Sequence, residues 1–345
     1  MSSGTDAWRN LALVGLGIIV TIVGVEAALH RLVPYPPPLR EVEDAVREYR
    51  SADPTTLVLG SSHARAFDSL AAIVDRSSLG SERIVTVPVE FGKMDSYLWV
   101  FDNRLSPLLD ERTPSGTPRR ASLRRVVLVT EWWDSCDPPG GGLGYNLPAR
   151  AWTLTDFLRD AAQHGLTSFN RNYLSNRFDR ALRSSMLVRD RGHGLVLDWT
   201  RARVRPSPAR DSAILAERTA TWQRMIEDGT ACLFAPRQVS ALTALLDELQ
   251  KRRLDVVIVL VPRKPGTVTP RGKQTTLASF AARMQEIGQH RDIEVIDLTT
   301  SSPLTDGDFA IDFDHLTPEG SAIFGRWGLA GPLAELNRPA DRGGS

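Results

Sequence analysis

Lysine is scarce in this chain. Only Lys93, Lys251, Lys264 and Lys273 occur, so nearly all of the 42 basic residues are arginine. Against them stand 41 acidic residues, for a formal net charge of +1. No basic excess exists to neutralise phosphates, which argues against a dedicated nucleic-acid binder. The arginine preference reads as coding bias rather than chemistry. Cysteine is scarcer still. Cys136 and Cys232 match no zinc spacing and no CxxC motif. They are two buried thiols or one disulfide, and the spacing does not choose. Six histidines are present, and His164, His193 and His290 lack acidic or histidine partners at metal-ligand spacing, so no metal is expected. No glycine loop of the P-loop or dinucleotide type occurs, and no cofactor is expected. The Gly140–Gly144 run has neither a strand before it nor a helix after it. What remains is 345 residues, 42% hydrophobic, enough for a sizeable core and too apolar for disorder. The length fits one large domain or two small ones.

Only one long hydrophobic run is present, Leu11 to Leu29. At 1.5 Å per residue, about 19 residues nearly span a hydrocarbon core ~30 Å thick. The run exceeds a usual signal-peptide core, and no small-x-small cleavage site follows it cleanly. An uncleaved membrane anchor over 1–32 is expected, with a cleaved signal as the alternative. Glu26 lies one turn from the end, where it reaches the interface. Arg9 precedes the run, while Arg31, Arg40, Arg47 and Arg50 follow it. Taken alone, the positive-inside rule places the body in the cytoplasm. The stretch 33–54 reads as a proline-rich extended spacer, Val33–Pro38, and a charged helix, Glu41–Arg50.

The body shows five short, β-branched runs: Thr56–Leu59, Ile84–Val89, Val126–Thr130, Val256–Val261 and Ile293–Leu298. Near-continuous apolar strands suit a parallel sheet buried on both faces. Helical patterns alternate with them at His63–Asp75, Ser96–Leu109, Ser240–Arg253, Thr276–Gln289 and Pro318–Leu336. This alternation predicts a doubly wound α/β domain over 55–136 and 236–337. Residues 137–235 are too many for one crossover and form an insertion, a mostly helical cap with stretches such as Trp152–Gln163 and Ser212–Glu227. Residues 338–345 form a disordered tail.

In open α/β sheets ligands bind beyond the carboxyl ends of the strands. After the first run comes Gly60-Ser61-Ser62-His63-Ala64-Arg65. A serine at that turn has its hydroxyl at the rim and its backbone at a helix start, where negative charge is favoured. An ordinary serine N-cap would look the same. After the last run comes Asp312-Phe313-Asp314-His315-Leu316-Thr317-Pro318. Thr317 reads as an N-cap with Pro318 at the first helical position. Asp312 can fold back to orient His315, which a serine nucleophile needs as its base.

Taken together, the serine after the first strand and D-x-x-H after the last resemble the SGNH (GDSL-like) hydrolase superfamily. Gly-Ser-Ser in place of Gly-Asp-Ser is similar to its branch of membrane-anchored acyl-transfer proteins of envelope polysaccharide and teichoic acid modification. The resemblance covers 55–135 and 237–335. It implies a three-layer α/β/α sandwich with a five-stranded, mainly parallel sheet. It also implies Ser62 as nucleophile, His315 as base and Asp312 as its partner, with Asp314 a weaker alternative. Ser61 takes the place of the family's aspartate, and Gly92 that of its oxyanion glycine. The family's Gly-x-Asn-Asp block is replaced by Thr130-Glu131-Trp132-Trp133-Asp134, which lacks the asparagine donor. One such donor is worth ~3 kcal/mol. Ser96 could complete the hole, and Trp132 and Trp133 could face substrate or simply pack the cap. His63 reads as structural.

The resulting expectation is a single-pass protein of the cell envelope with an extracytoplasmic body, against the arginine count. Ser62 would transfer an acyl group to envelope polysaccharide, as an O-acetyltransferase or esterase. A multi-pass membrane partner would supply the acyl donor. The alternative is a catalytically weak or inactive scaffold of a glycan assembly complex.

Overall fold

The computed structural model describes residues 13–17, 20, 21, 24, 37–77, 83–89, 92–111, 122–137, 158, 162, 208–310 and 315–337. The chain divides into two compact units, Met1–Pro37 with Phe157–Val204, and Pro38–Asp156 with Arg205–Ser345. In the first unit the described residues are helical, and Leu13, Val14, Leu16 and Val20 are each more than half exposed. Among the described residues no helix is long and apolar enough to cross a membrane, and most of Leu11–Leu29 lies outside them. The expected helix Trp152–Gln163 lies outside them except at Leu158 and Ala162.

The second unit is built on five strands: β1 Thr56–Ser61, β2 Ile84–Val89, β3 Arg125–Thr130, β4 Asp255–Leu260 and β5 Glu294–Asp297. All neighbours are parallel, in the order β2-β1-β3-β4-β5. β1 and β3 are buried along their whole length, which is why their sequences run apolar without alternation. β1 runs two residues further than the apolar pattern predicts, through Gly60 and Ser61. A Cβ on Gly60 would lie 2.2 Å from the Val129 carbonyl oxygen, so only glycine lets β1 approach β3 this closely.

Seven helices of at least seven residues are described in this unit: α1 Pro37–Ala52, α2 Phe67–Ser77, α3 Met94–Val100, α4 Pro208–Asp228, α5 Pro236–Lys251, α6 Ala278–Arg291 and α7 Pro318–Ala330. α3 continues through a π turn, Phe101–Leu105, into a last turn, Ser106–Leu109. α2 packs on α7, and α5 packs on α3. Phe67 and Phe324 meet edge to face, with ring centroids 5.4 Å apart. They share one core with Val58, Val127, Val129, Val257 and Val259. Burying each such side chain is worth ~1.5–3 kcal/mol. By strand alternation, Leu57, Leu59, Leu128 and Ile258, all fully buried, face the opposite side.

Two expectations need correction. Pro37 and Pro38 do not belong to an extended spacer but open α1. Proline is tolerated in a helix's first turn because its missing N–H has no intrahelical acceptor there. Residues 33–36 lie outside the described ones. The helix expected from His63 starts instead as a 3₁₀ turn, Ser62–Ala66, before α2.

Of the insertion, α4 is described and 163–207 is not. α4 packs on the segment after β4. Gln223 donates to the Gly266 carbonyl at 2.9 Å, and the Thr269 hydroxyl donates to Glu227 at 2.6 Å. The cysteine question is resolved as a disulfide, Cys136–Cys232, which joins the two ends of the insertion across 96 residues. Closing a loop that long stabilises by ~4–5 kcal/mol in the chain-entropy account.

Candidate active site

The topology places a switch point between β1 and β3. From β1 the chain leaves to one side, to β2, and returns past β1 to β3. Crevices form at such points, beyond the strand carboxyl ends. Ser61 ends β1, and its hydroxyl caps the following turn by accepting from the His63 backbone N–H. Ser62, the first residue of that turn, is buried to 7% exposure.

His315 reaches Ser62 from the loop before α7. Thr317 caps that helix, accepting from the Gly320 N–H at 3.0 Å, with Pro318 in its first turn. Ala310 N–H donates to the His315 carbonyl at 2.8 Å, and Thr317 N–H donates to the Asp308 carbonyl at 2.9 Å. These bonds fix the backbone around His315 and bring its Nε2 within 2.7 Å of Ser62 Oγ. With Nε2 unprotonated, this is the contact through which a base takes a serine proton. Asp312 and Asp314 lie outside the described residues.

A second histidine lies beside the pair. The His63 and His315 rings stack with centroids 5.2 Å apart and planes 16° apart. His63 Nδ1 is 2.9 Å from Ser61 Oγ and 3.5 Å from Glu131 Oε1. Glu131 follows β3 directly and is paired with Arg263, three residues beyond β4; both are buried. Sequence reasoning had not singled out Glu131 or Arg263. The available signal was charged residues just past two central strands, at the end where sites form.

A second polar cluster sits beyond the ends of β2 and β3. Lys93 is buried, donates to the Trp133 carbonyl, and lies 4.2 Å from the Trp133 ring centroid. Burial lowers its ammonium to about 8, against the pull of Asp134 and Glu131. Asp134 is fully buried, and its carboxyl rises to about 7 through burial and the neighbouring Glu131 charge. Tyr97 donates to Asp134 at 2.7 Å, and its phenol is held well above the ordinary value, chiefly by burial.

The expected oxyanion and binding residues fall within this second cluster's surroundings. Gly92 N–H donates to the Val89 carbonyl at 2.7 Å. Ser96 is fully buried, with its hydroxyl 3.4 Å from Asp95. Trp132 is 1% exposed and meets Gly229, where an added Cβ would lie 2.6 Å from its ring. The cleft beside Ser62, about 100 Å³, is lined by His63, His315, Val261, Pro262, Leu316 and Phe324, among others. None of Gly92, Ser96 and Trp132 is among its lining residues. Among the described residues no group of three or more acidic, histidine or cysteine side chains is placed to hold a metal ion.

No family model and no curated protein matches the chain. Among solved structures it is similar to a Bacteroides fragilis protein provisionally described as an acylhydrolase. The identity is 11% and the TM-score 0.39, over 85% of this chain and 97% of that one. It is also similar to a Desulfitobacterium hafniense protein provisionally described as lipolytic and of the G-D-S-L family. There the identity is 11% and the TM-score 0.36, over 79% and 97% of the two chains. Likeness of this degree carries no argument about activity, which rests on the site itself.

Proposed function

We propose that this chain is a serine-dependent acyl hydrolase or acyltransferase of the SGNH type, with Ser62 as nucleophile and His315 as general base. The observation that carries the reading is the 2.7 Å contact between Ser62 Oγ and His315 Nε2 at the sheet's switch point. His315 takes the hydroxyl proton as Ser62 attacks the acyl carbon, and returns it to the departing alcohol. An ester on Ser62 remains. Water then gives hydrolysis, and a sugar hydroxyl gives transfer. Asp312 takes the orienting role.

The acyl group is short. The cleft of about 100 Å³ is smaller than the ~150 Å³ cavity that accommodates benzene, and its walls include Val261, Pro262, Leu316 and Phe324. The body acts outside the cytoplasm, on envelope polysaccharide, tethered by the segment Leu11–Leu29. Supporting this placement are the Cys136–Cys232 disulfide, a bond of oxidising compartments, and the exposed apolar residues Leu13, Val14, Leu16 and Val20. A multi-pass partner delivers the acyl donor.

A second reading is favoured by one observation. The Gly92 N–H is bonded to the Val89 carbonyl, which removes a donor from the oxyanion hole and fits a non-catalytic scaffold. A fluorophosphonate label separates the two. The enzyme reading predicts stoichiometric labelling at Ser62, lost in Ser62→Ala. An unlabelled, folded wild type supports the scaffold.

A further inference from the structure

We propose that His63 is a positioning residue: its ring is the flat face against which the His315 imidazole is set for proton transfer from Ser62. This rests on the reading of Ser62 and His315 as nucleophile and base. The need for such a face follows from torsional chemistry. The χ2 of histidine is an sp³–sp² torsion with a broad, shallow profile, so the ring plane is not fixed by its own rotamer. The hydrogen bond to Ser62 is directional and weakens steeply as its angle closes. Something must hold the plane, and a small misplacement of a reacting group costs about 10²-fold in rate.

His63 meets that need. Its ring lies nearly parallel to that of His315, 16° off, at a centroid distance of 5.2 Å that places the two in offset contact. It is itself held. His63 is buried to 6% exposure, Ser61 Oγ lies 2.9 Å from Nδ1, and Glu131 lies 3.5 Å from the same nitrogen. Glu131 is anchored by the buried Arg263, so the carboxyl ends of β1, β3 and β4 all bear on this one ring. Ser61, which stands where the resembled family has aspartate, thereby holds the residue behind the base.

The test compares His63→Leu with His63→Phe in the full chain, reading the maximal rate and half-saturating concentration of fluorophosphonate labelling at Ser62. Both substitutions delete the same contacts to Ser61 and Glu131 and so share their cost to the fold; only phenylalanine keeps a flat face. The expected result is a maximal rate about tenfold or more lower for leucine, and within about threefold of wild type for phenylalanine, at unchanged half-saturation. Equal rates for the two variants beside a labelled wild type overturn this proposal alone. An unlabelled wild type overturns the reading of the site and this proposal with it. Should neither variant fold, His63→Met and His63→Tyr repeat the comparison of a side chain without and with a flat face. At least about threefold slower labelling is expected for methionine than for tyrosine, and equal rates overturn the proposal.

Discussion

The two polar clusters at the carboxyl end of the sheet make different use of their groups. Around β1 and α7, polar atoms converge on one bond: Ser62 Oγ faces His315, and Ser61, His63, Glu131 and Arg263 stand behind it. Beyond β2 and β3, donors are spent on neighbours. Gly92 N–H goes to Val89, Lys93 to the Trp133 carbonyl, and Tyr97 to Asp134. The first arrangement sets a hydroxyl against an imidazole. The second ties down a loop with a buried lysine and a buried carboxyl. The two clusters meet at Glu131, which lies beside His63 in the first and raises the Asp134 carboxyl in the second.

The sharpest way to break this contrast is to remove the reacting pair. Ser62→Ala and His315→Gln should each lower turnover of p-nitrophenyl acetate by about 10³-fold or more, measured by initial rates, while leaving the thermal midpoint little changed. A comparable loss from Lys93→Met, with Ser62→Ala active, would move the chemistry to the second cluster.

Next in size is the disulfide, which follows directly from the loop bearing Trp132 to Ser135. Reduction, or the paired change of Cys136 and Cys232 to serine, should lower unfolding free energy by about 4 kcal/mol in denaturant titrations. If the contrast holds, labelling at Ser62 in the still-folded variant should fall far less than stability does.

The cleft gives a smaller effect. kcat/KM for p-nitrophenyl octanoate should lie at least about tenfold below that for the acetate, since the longer chain leaves apolar surface the cleft cannot cover. Equal values would show that the acyl group lies elsewhere.

A further effect is on pH dependence. Asp134 keeps its proton in the folded protein up to about 7, whereas the unfolded chain releases it near the ordinary 3.8. Its contribution to stability is therefore complete below that lower value and is lost as pH rises through about 7. Lys93 has the opposite sense. Lowered to about 8, it releases its proton before the unfolded chain does, so stability rises from there toward 10.5. Denaturant midpoints across this range should show the first slope in the wild type and lose it in Asp134→Asn.

Much of the scaffold was legible in the sequence. Strands buried on both faces cannot hide their β-branched runs, so β2 matches its apolar run and β3 and β4 shift by one residue at one or both ends. The edge strand β5, none of whose residues is buried, is one residue shorter at each end than its run. The meeting of Ser62 and His315 was legible because residues just past strand ends and just before helix caps gather at one edge of a parallel sheet. Less legible was what depends on contact across the sheet. Glu131 and Arg263 are 132 residues apart, and no local pattern links them. His63 reads as structural until its ring is seen against His315. Spacing could not pair two cysteines, and a proline run reads as a spacer whether or not its last members open a helix.

The most direct test of the central claim is to trap the acyl-enzyme. Acid-quenched single turnovers of p-nitrophenyl acetate, followed by peptide mass analysis, should find one acetyl group on Ser62 and none in Ser62→Ala. An acetyl group on another side chain, or turnover by Ser62→Ala at the wild-type rate, would contradict the account.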